Sequence, residues 1–347
     1  MNAPHQSSPS LGAPLERVSR VSSSALDRAR RLCVAPMMDW TTRHCRFFHR
    51  LLSPNALLYS EMVTADAVIH GKRDRLLGFN TAEHPVALQL GGSDPQALAQ
   101  AAAIGEAMGY DEINLNCGCP SDRVQQGSFG ACLMREPMRV AECVQAMRET
   151  VSVPITVKHR IGVDDEQDYD FLFRFVEAVY ASGCHVFVVH ARAALLKGLS
   201  PKENREIPPL HYDRVRSLKQ DFPKAQFILN GGLTDISAVR WLDELQADGL
   251  MIGRAAYHNP WVLRDLDAVF FEDHPARPFD RWPVIERLQA YYETGLSDGV
   301  PATAMTRHWH GLFYGQPGAV TWRRAMAEGR GPATVSAQNS GTLKSSF

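Results

Sequence analysis

A chain of 347 residues, 45% of them hydrophobic, has enough apolar material for one large domain or for a large and a small one. Its formal net charge of −1 excludes a globally basic or acidic polyelectrolyte, so any contact with a polyanion must come from a local patch. No apolar run approaches the roughly 20 residues needed to cross a bilayer, and seven cysteines, an odd number scattered over apolar segments, indicate reduced thiols in a cytoplasm.

Residues 1–30 are rich in Ser, Pro, Ala and Arg without an apolar signal core and read as a disordered leader. Regular patterning begins at Leu32. A short apolar run over 32–35 closes at Pro36, Met37 and Met38, and the polar Asp39, Thr41 and Thr42 then cap a helix through Phe47, Phe48, Leu51 and Leu52. Further apolar runs, each short enough for a strand, cover 56–59, 86–90, 112–115, 154–157, 186–189, 226–229 and 249–252. Helical stretches separate them: an Ala-rich one from Asp94 to Met108, one opened by Glu136-Pro137, and others over 168–182, 212–221 and 235–245. After residue 260 the strand runs stop. Trp282, Ile285, Leu288, Tyr291 and Tyr292 fall at helical spacing, as do Met305, Trp309, Leu312 and Phe313, and then Trp322 and Met326. The expected organisation is a (β/α)8 TIM barrel over 31–260, a small all-helical domain over 261–328 and a flexible tail over 329–347. A doubly wound sheet also alternates, but the glycine fingerprint that often follows its first strand is absent.

A barrel gathers its chemistry at the carboxyl ends of its strands. Polar or special residues stand there: Pro36, Met37 and Met38, then Glu61, Gln89, Asn116 with Cys119, Lys158, His190, Asn230-Gly231-Gly232, and Gly253-Arg254. The glycines after the seventh and eighth strands suit a phosphate pocket with Arg254 as a charged contact, or are ordinary turns. Lys158 has three readings: a Schiff-base amine, a cation beside a cofactor that gains negative charge, or a snorkelling lysine. Gln89, carried on an apolar strand, requires a hydrogen-bonding partner. Cys117 and Cys119 on the glycine-punctuated segment after residue 116 supply a nucleophile, a metal ligand or a proton donor. With Cys132 and Cys143 their spacing matches no common metal-ligand pattern, and no metal is expected.

Seven motifs in order carry a resemblance: Ala35-Pro36-Met37-Met38, Leu88-Gln89-Leu90-Gly91-Gly92, Asn114-Leu115-Asn116-Cys117-Gly118-Cys119-Pro120, Val157-Lys158-His159-Arg160-Ile161-Gly162, His190-Ala191-Arg192, Asn230-Gly231-Gly232 and Gly253-Arg254. Together they resemble the tRNA-dihydrouridine synthases. Ser121-Asp122-Arg123-Val124-Gln125 and the stretch 199–210 look like the DusA subfamily, which acts at positions 20 and 20a of the tRNA D-loop. The resemblance implies FMN, with NADPH or NADH as reductant, and a cytoplasmic monomer that acts on tRNA through a helical RNA-binding domain. Position by position it implies that Pro36, Met37 and Met38 line the flavin and that Gln89 bonds its ring edge. Lys158 and His190 lie against the cofactor, and Asn230, Gly231, Gly232, Gly253 and Arg254 hold its phosphate. Cys119 is the proton donor, a role a thiol suits because it is protonated at neutral pH yet gives its proton up readily. Asn116 touches the substrate nucleotide, and Lys202, Arg205, Arg323 and Arg324 contact tRNA. Two positions depart from the pattern: Val320 stands where a basic residue is expected, and His159 replaces a small hydroxyl residue. The alternative is an FMN-dependent barrel that reduces a free pyrimidine or enone.

Overall fold

The computed structural model describes residues 21–121, 124, 127–271, 280–333 and 335. Eight parallel strands close on one another in chain order: β1 (Leu32–Val34), β2 (Leu57–Thr64), β3 (Val86–Gly91), β4 (Glu112–Cys117), β5 (Ile155–Arg160), β6 (Val186–His190), β7 (Gln226–Asn230) and β8 (Gly249–Ile252). The (β/α)8 expectation therefore holds. Each strand is buried on both faces, lumen and helix layer, which is why the runs read as nearly continuous apolar segments. β2 extends beyond the expected 56–59, with a register irregularity between Tyr59 and Met62. The stretch expected as one helix over 235–245 is a 3-10 turn, Ile236–Val239, followed by a short α-helix, Arg240–Leu245.

Cys33, Leu57, Tyr59, Ala87, Val186, Val188, Ile228 and Met251 fill the lumen from six of the eight strands. The base is closed by a helix, Ser23–Ala29, whose Leu26 and Ala29 pack into that same cluster. Ser22 caps it through an N–H···O bond from Ala25. The disordered-leader expectation is thus corrected for residues 21–30, because two apolar side chains of this helix supply the lumen's floor. Residues 1–20 lie outside the described residues.

By its contacts the barrel unit takes in the described residues from 21 to 271. The helix Trp261–Phe271, expected to open the helical domain, belongs to it. Its Asp267 is buried, accepting from Ser53 Oγ and from the backbone N–H of Asn55 at 3.2 Å. Arg28 and Arg31 donate to the carbonyls of Phe271 and Phe270.

The second unit comprises the helices Trp282–Ser297, Ala302–Thr306 and Ala319–Ala327 with a 3-10 turn, His310–Phe313. Its core is aromatic: Trp309 and Trp322 are fully buried, and Trp322 Nε1 donates to the Trp309 carbonyl at 2.7 Å. Arg281 is buried as well, with Nε on the Leu312 carbonyl at 3.0 Å and its guanidinium over the Phe313 ring. The expected tail is ordered at its start. Gly329 O accepts from Tyr292 OH, Ala333 N–H bonds Gln289 Oε1, and Val335 is buried. Residues 336–347 lie outside the described residues.

Candidate active site at the carboxyl rim of the barrel

Strand register sets the site. A strand's side chains alternate between lumen and helix layer, so β4 sends Glu112, Asn114 and Asn116 inward and β5 sends Thr156, Lys158 and Arg160 inward. Asn116 pairs with Lys158, Arg160 with His190, and His190 with Asn230. The inward polar residues are joined. Lys158 Nζ donates to Asn230 Oδ1 at 3.0 Å, and Asn230 Nδ2 donates to the Met251 carbonyl at 2.8 Å. Asn116 Nδ2 donates to Gln89 Oε1 at 2.8 Å, while Asn116 Oδ1 accepts the backbone N–H groups of Gly118 and Cys119. That last pair winds the chain into a tight turn and places Cys119, half-buried, at the rim. Its Sγ lies 3.5 Å from Ser121 Oγ.

The rim is cationic and holds few carboxylates. Burial, reinforced by the charge of Arg160, pushes the Lys158 ammonium down to about 7. Burial and the charges of Arg160, Lys158, Arg192 and Arg205 hold His190 well below the ordinary histidine value, so its imidazole is neutral at pH 7. Lys158 and Arg160 both lie within electrostatic reach of the Cys119 sulfur.

Glycines line the far wall. Gly231 and Gly232 take φ of 111° and 68°, in the left-handed region. A Cβ on Gly231 would stand 2.6 Å from His190 Cδ2, and one on Gly232 would stand 2.6 Å from Leu210 Cδ1. Beside Gly253 a Cβ would meet only Ala35, at 3.9 Å, which leaves open space there. Arg254 is ion-paired with Glu206 and also donates to the Arg205 carbonyl. Met37 packs against the lumen cluster and its backbone N–H bonds Thr41 Oγ1, whereas Met38 is 57% exposed and Pro36 half-buried.

The remaining expected residues are dispersed. Lys202 and Arg205 are exposed on the loop after β6. Arg323 and Arg324 lie on the exposed face of Ala319–Ala327, in the second unit. Val320, 65% exposed, is on that same face. His159 points out of the lumen between Phe175 and Phe187, hydrogen-bonded to the Arg160 carbonyl, and burial lowers it to about 4. Its departure from the pattern therefore does not face the site. Cys117 likewise faces the helix layer, where burial holds its thiol well above the ordinary range. Among the described residues no three His, Cys, Asp or Glu side chains converge as a metal site, and no helix is long and apolar enough to cross a membrane. Asp122, Arg123 and Gln125 lie outside the described residues.

A family model for dihydrouridine synthases (Dus) matches residues 33–346. The chain belongs to the dihydrouridine synthase family. The tRNA-dihydrouridine(20/20a) synthase of Xanthomonas axonopodis pv. citri (strain 306) is 59% identical over 300 residues, covering 86% of this chain and 88% of its own. The protein of the same name from Escherichia coli (strain K12) is 55% identical over 302 residues, covering 86% of each chain. Among solved structures, a 2-naphthoyl-CoA reductase complexed with 2-naphthoyl-CoA matches with a TM-score of 0.54 at 9% identity. That match covers 68% of this chain and 49% of the reductase, and it speaks for the fold alone. Dihydrouridine synthases are flavin-dependent oxidoreductases.

In this dihydrouridine synthase some polar residues of the lumen escaped sequence reasoning. Arg160 is buried, and its guanidinium bonds the carbonyls of Gly118, Ala193 and Asn204 at 2.9–3.2 Å, tying the loop after β4 to the loop after β6. Glu112, Asn114 and Thr156 lie deeper, fully buried. A signal for them existed: polar residues at 112, 114 and 116, and again at 156, 158 and 160, recur every second position on strands otherwise apolar.

Proposed function

We propose that the chain reduces the C5=C6 bond of uridine at positions 20 and 20a of the tRNA D-loop, using FMN reduced by NADPH or NADH. The observation that carries the reading is the rim itself: a half-buried thiol on a loop pinned by Asn116, facing a desolvated lysine and a carboxylate-poor set of cations. That donor set fits a planar heterocycle bearing a phosphate. Gln89 keeps one N–H and one lone pair, and Asn116 one N–H, for a ring edge. Lys158 and His190 flank it, with Pro36, Met37 and Met38 beside it. Gly253 leaves open space for a phosphate near Arg254, with the backbone of Gly231 and Gly232, packed close on His190 and Leu210, beside Asn230.

When bound, reduced FMN supplies the hydride for C6 of the uracil. Cys119 Sγ gives its proton to C5, so one hydride and one proton saturate the bond and leave a thiolate. Water reaching the half-buried sulfur beside Ser121 restores the thiol. Lys158, favoured in its ammonium form when an anion lies beside it and taking its proton from solvent, stabilises negative charge at the rim, and neutral His190 contributes hydrogen bonding without charge. Asn116 fixes Cys119 through two N–H···O bonds and touches the nucleotide, which must leave its stack to enter the lumen, at a cost of a few kcal/mol. Contacts from Lys202, Arg205, Arg323 and Arg324 to phosphates offset that cost. The protein acts as a cytoplasmic monomer, a state that sedimentation will check.

Cys119→Ala is the test. The variant is expected to retain flavin and to oxidise NADPH while dihydrouridine formation falls at least about a hundred-fold, the usual size of a general-acid contribution. Undiminished dihydrouridine in the variant would remove Cys119 from the chemistry. Mapping dihydrouridine in tRNA from a strain lacking the gene checks the positions.

A further inference from the structure

A single line of hydrogen bonds runs through the lumen from rim to base. Gly118 and Cys119 N–H donate to Asn116 Oδ1. Asn116 Nδ2 donates to Gln89 Oε1, Gln89 Nε2 to Asn114 Oδ1, and Asn114 Nδ2 to Thr156 Oγ1, at 2.8–2.9 Å. Thr156 Oγ1 then donates to Glu112 Oε1 at 2.7 Å. Tyr59 OH donates to that same oxygen, and Arg30 Nε to Oε2 at 2.8 Å. Glu112, Asn114 and Thr156 are fully buried, and Gln89 is 1% exposed.

The direction of this line is not free. Its upper end is two backbone N–H groups, which can only donate; its lower end is a carboxylate clamped by Arg30, which can only accept. Every amide between them must turn its oxygen up and its nitrogen down. Gln89 and Asn114 each use one N–H and one lone pair in the line and keep one of each, whereas Asn116 Oδ1 accepts two N–H groups and the residue keeps one N–H only. The order of donor and acceptor shown to a bound ring is therefore written at both ends.

We propose that Glu112 and Thr156 are positioning residues, which through Asn114 fix the orientation of the Gln89 amide beneath the rim. The proposal rests on the flavin reading given above. Without the Thr156 hydroxyl the lower end is released. The unmade bond can then migrate along the line, and the Gln89 amide turns over, so that a donor faces the ring where an acceptor did.

The test compares full-length Thr156→Val, nearly isosteric, with Thr156→Ser, which restores the hydroxyl, and with Val157→Ala. Val157 is fully buried on the other face of β5, so its truncation controls for lost packing alone. FMN affinity is read from the fluorescence of released flavin, and dihydrouridine formation is read with saturating tRNA. An unsatisfied buried amide predicts a loss of FMN affinity of about five- to a hundred-fold in Thr156→Val. Thr156→Ser and Val157→Ala are expected to stay within about two-fold of the parent. If Thr156→Val does not fold, Thr156→Ala carries the same expectation. Parent-like FMN affinity in Thr156→Val, or an equal loss in Val157→Ala, would overturn the proposal alone. A parent protein that holds no FMN would overturn the functional reading and the proposal with it.

Discussion

Lys158 shows how a single side chain ties the fold to a measurable pH effect. Burial and Arg160 depress its pKa to about 7, against about 10.4 for a free lysine. Between those values the folded protein without ligand has released a proton that the unfolded chain still holds. The depressed lysine therefore destabilises the fold below pH 7, and that penalty is relieved as pH rises through the window. Anion binding runs the opposite way, because it requires the ammonium. FMN affinity is expected to fall as pH rises from 7 to 9, a range in which the phosphate is already a dianion. Lys158→Met should bind more weakly and lose most of the slope. A parent profile flat across that range would show that Lys158 does not face the phosphate-bearing ligand.

At the scale of elements, the helix Ser23–Ala29 is the most exposed to test. Only seven residues long, it is marginal by itself and stays in place through Leu26 and Ala29 in the lumen floor and through Arg30 on Glu112. Leu26→Ala is expected to lower stability by about 2–5 kcal/mol, read as a shift in the urea midpoint at unchanged m-value. A loss below about 0.5 kcal/mol, the level of an ordinary surface change, would mean the helix frays without consequence. This element also shows what the sequence could not disclose. Two inward residues in one short helix leave no period to detect, and a Ser/Arg-rich context masks them. The strands were legible because both of their faces are buried. Their polar tips were legible because an amide or a lysine on an apolar run has to be explained. Trp261–Phe271 announced an apolar face but not which core it joins, since Asp267 meets Ser53 and Asn55 from far away in sequence. Trp309 and Trp322, read from the sequence only as positions at helical spacing, are core.

For the molecule as a whole, a net charge of −1 gives no general attraction for a polyanion, so affinity for tRNA must come from local cations. On Ala319–Ala327 the exposed Val320, Arg323 and Arg324 stand at i, i+3 and i+4 and share one face. Each phosphate neutralised contributes about 0.7 to 0.9 to the slope of log affinity against log salt. Replacing both Arg323 and Arg324 by Ala should flatten that slope by about 1.4 to 1.8. FMN content should be unchanged, because neither residue belongs to the barrel unit. Val320→Arg should steepen the slope by about one such increment, since it adds a cation to a face that already carries two. The measurement is tRNA binding between 50 and 200 mM salt, the range over which such contacts change affinity most visibly. If the double alanine variant keeps the parent slope, these arginines are solvated and the tRNA is held elsewhere. If Val320→Arg alone leaves the slope unmoved, the face ends at Arg323 and the missing basic residue at 320 has no phosphate to meet.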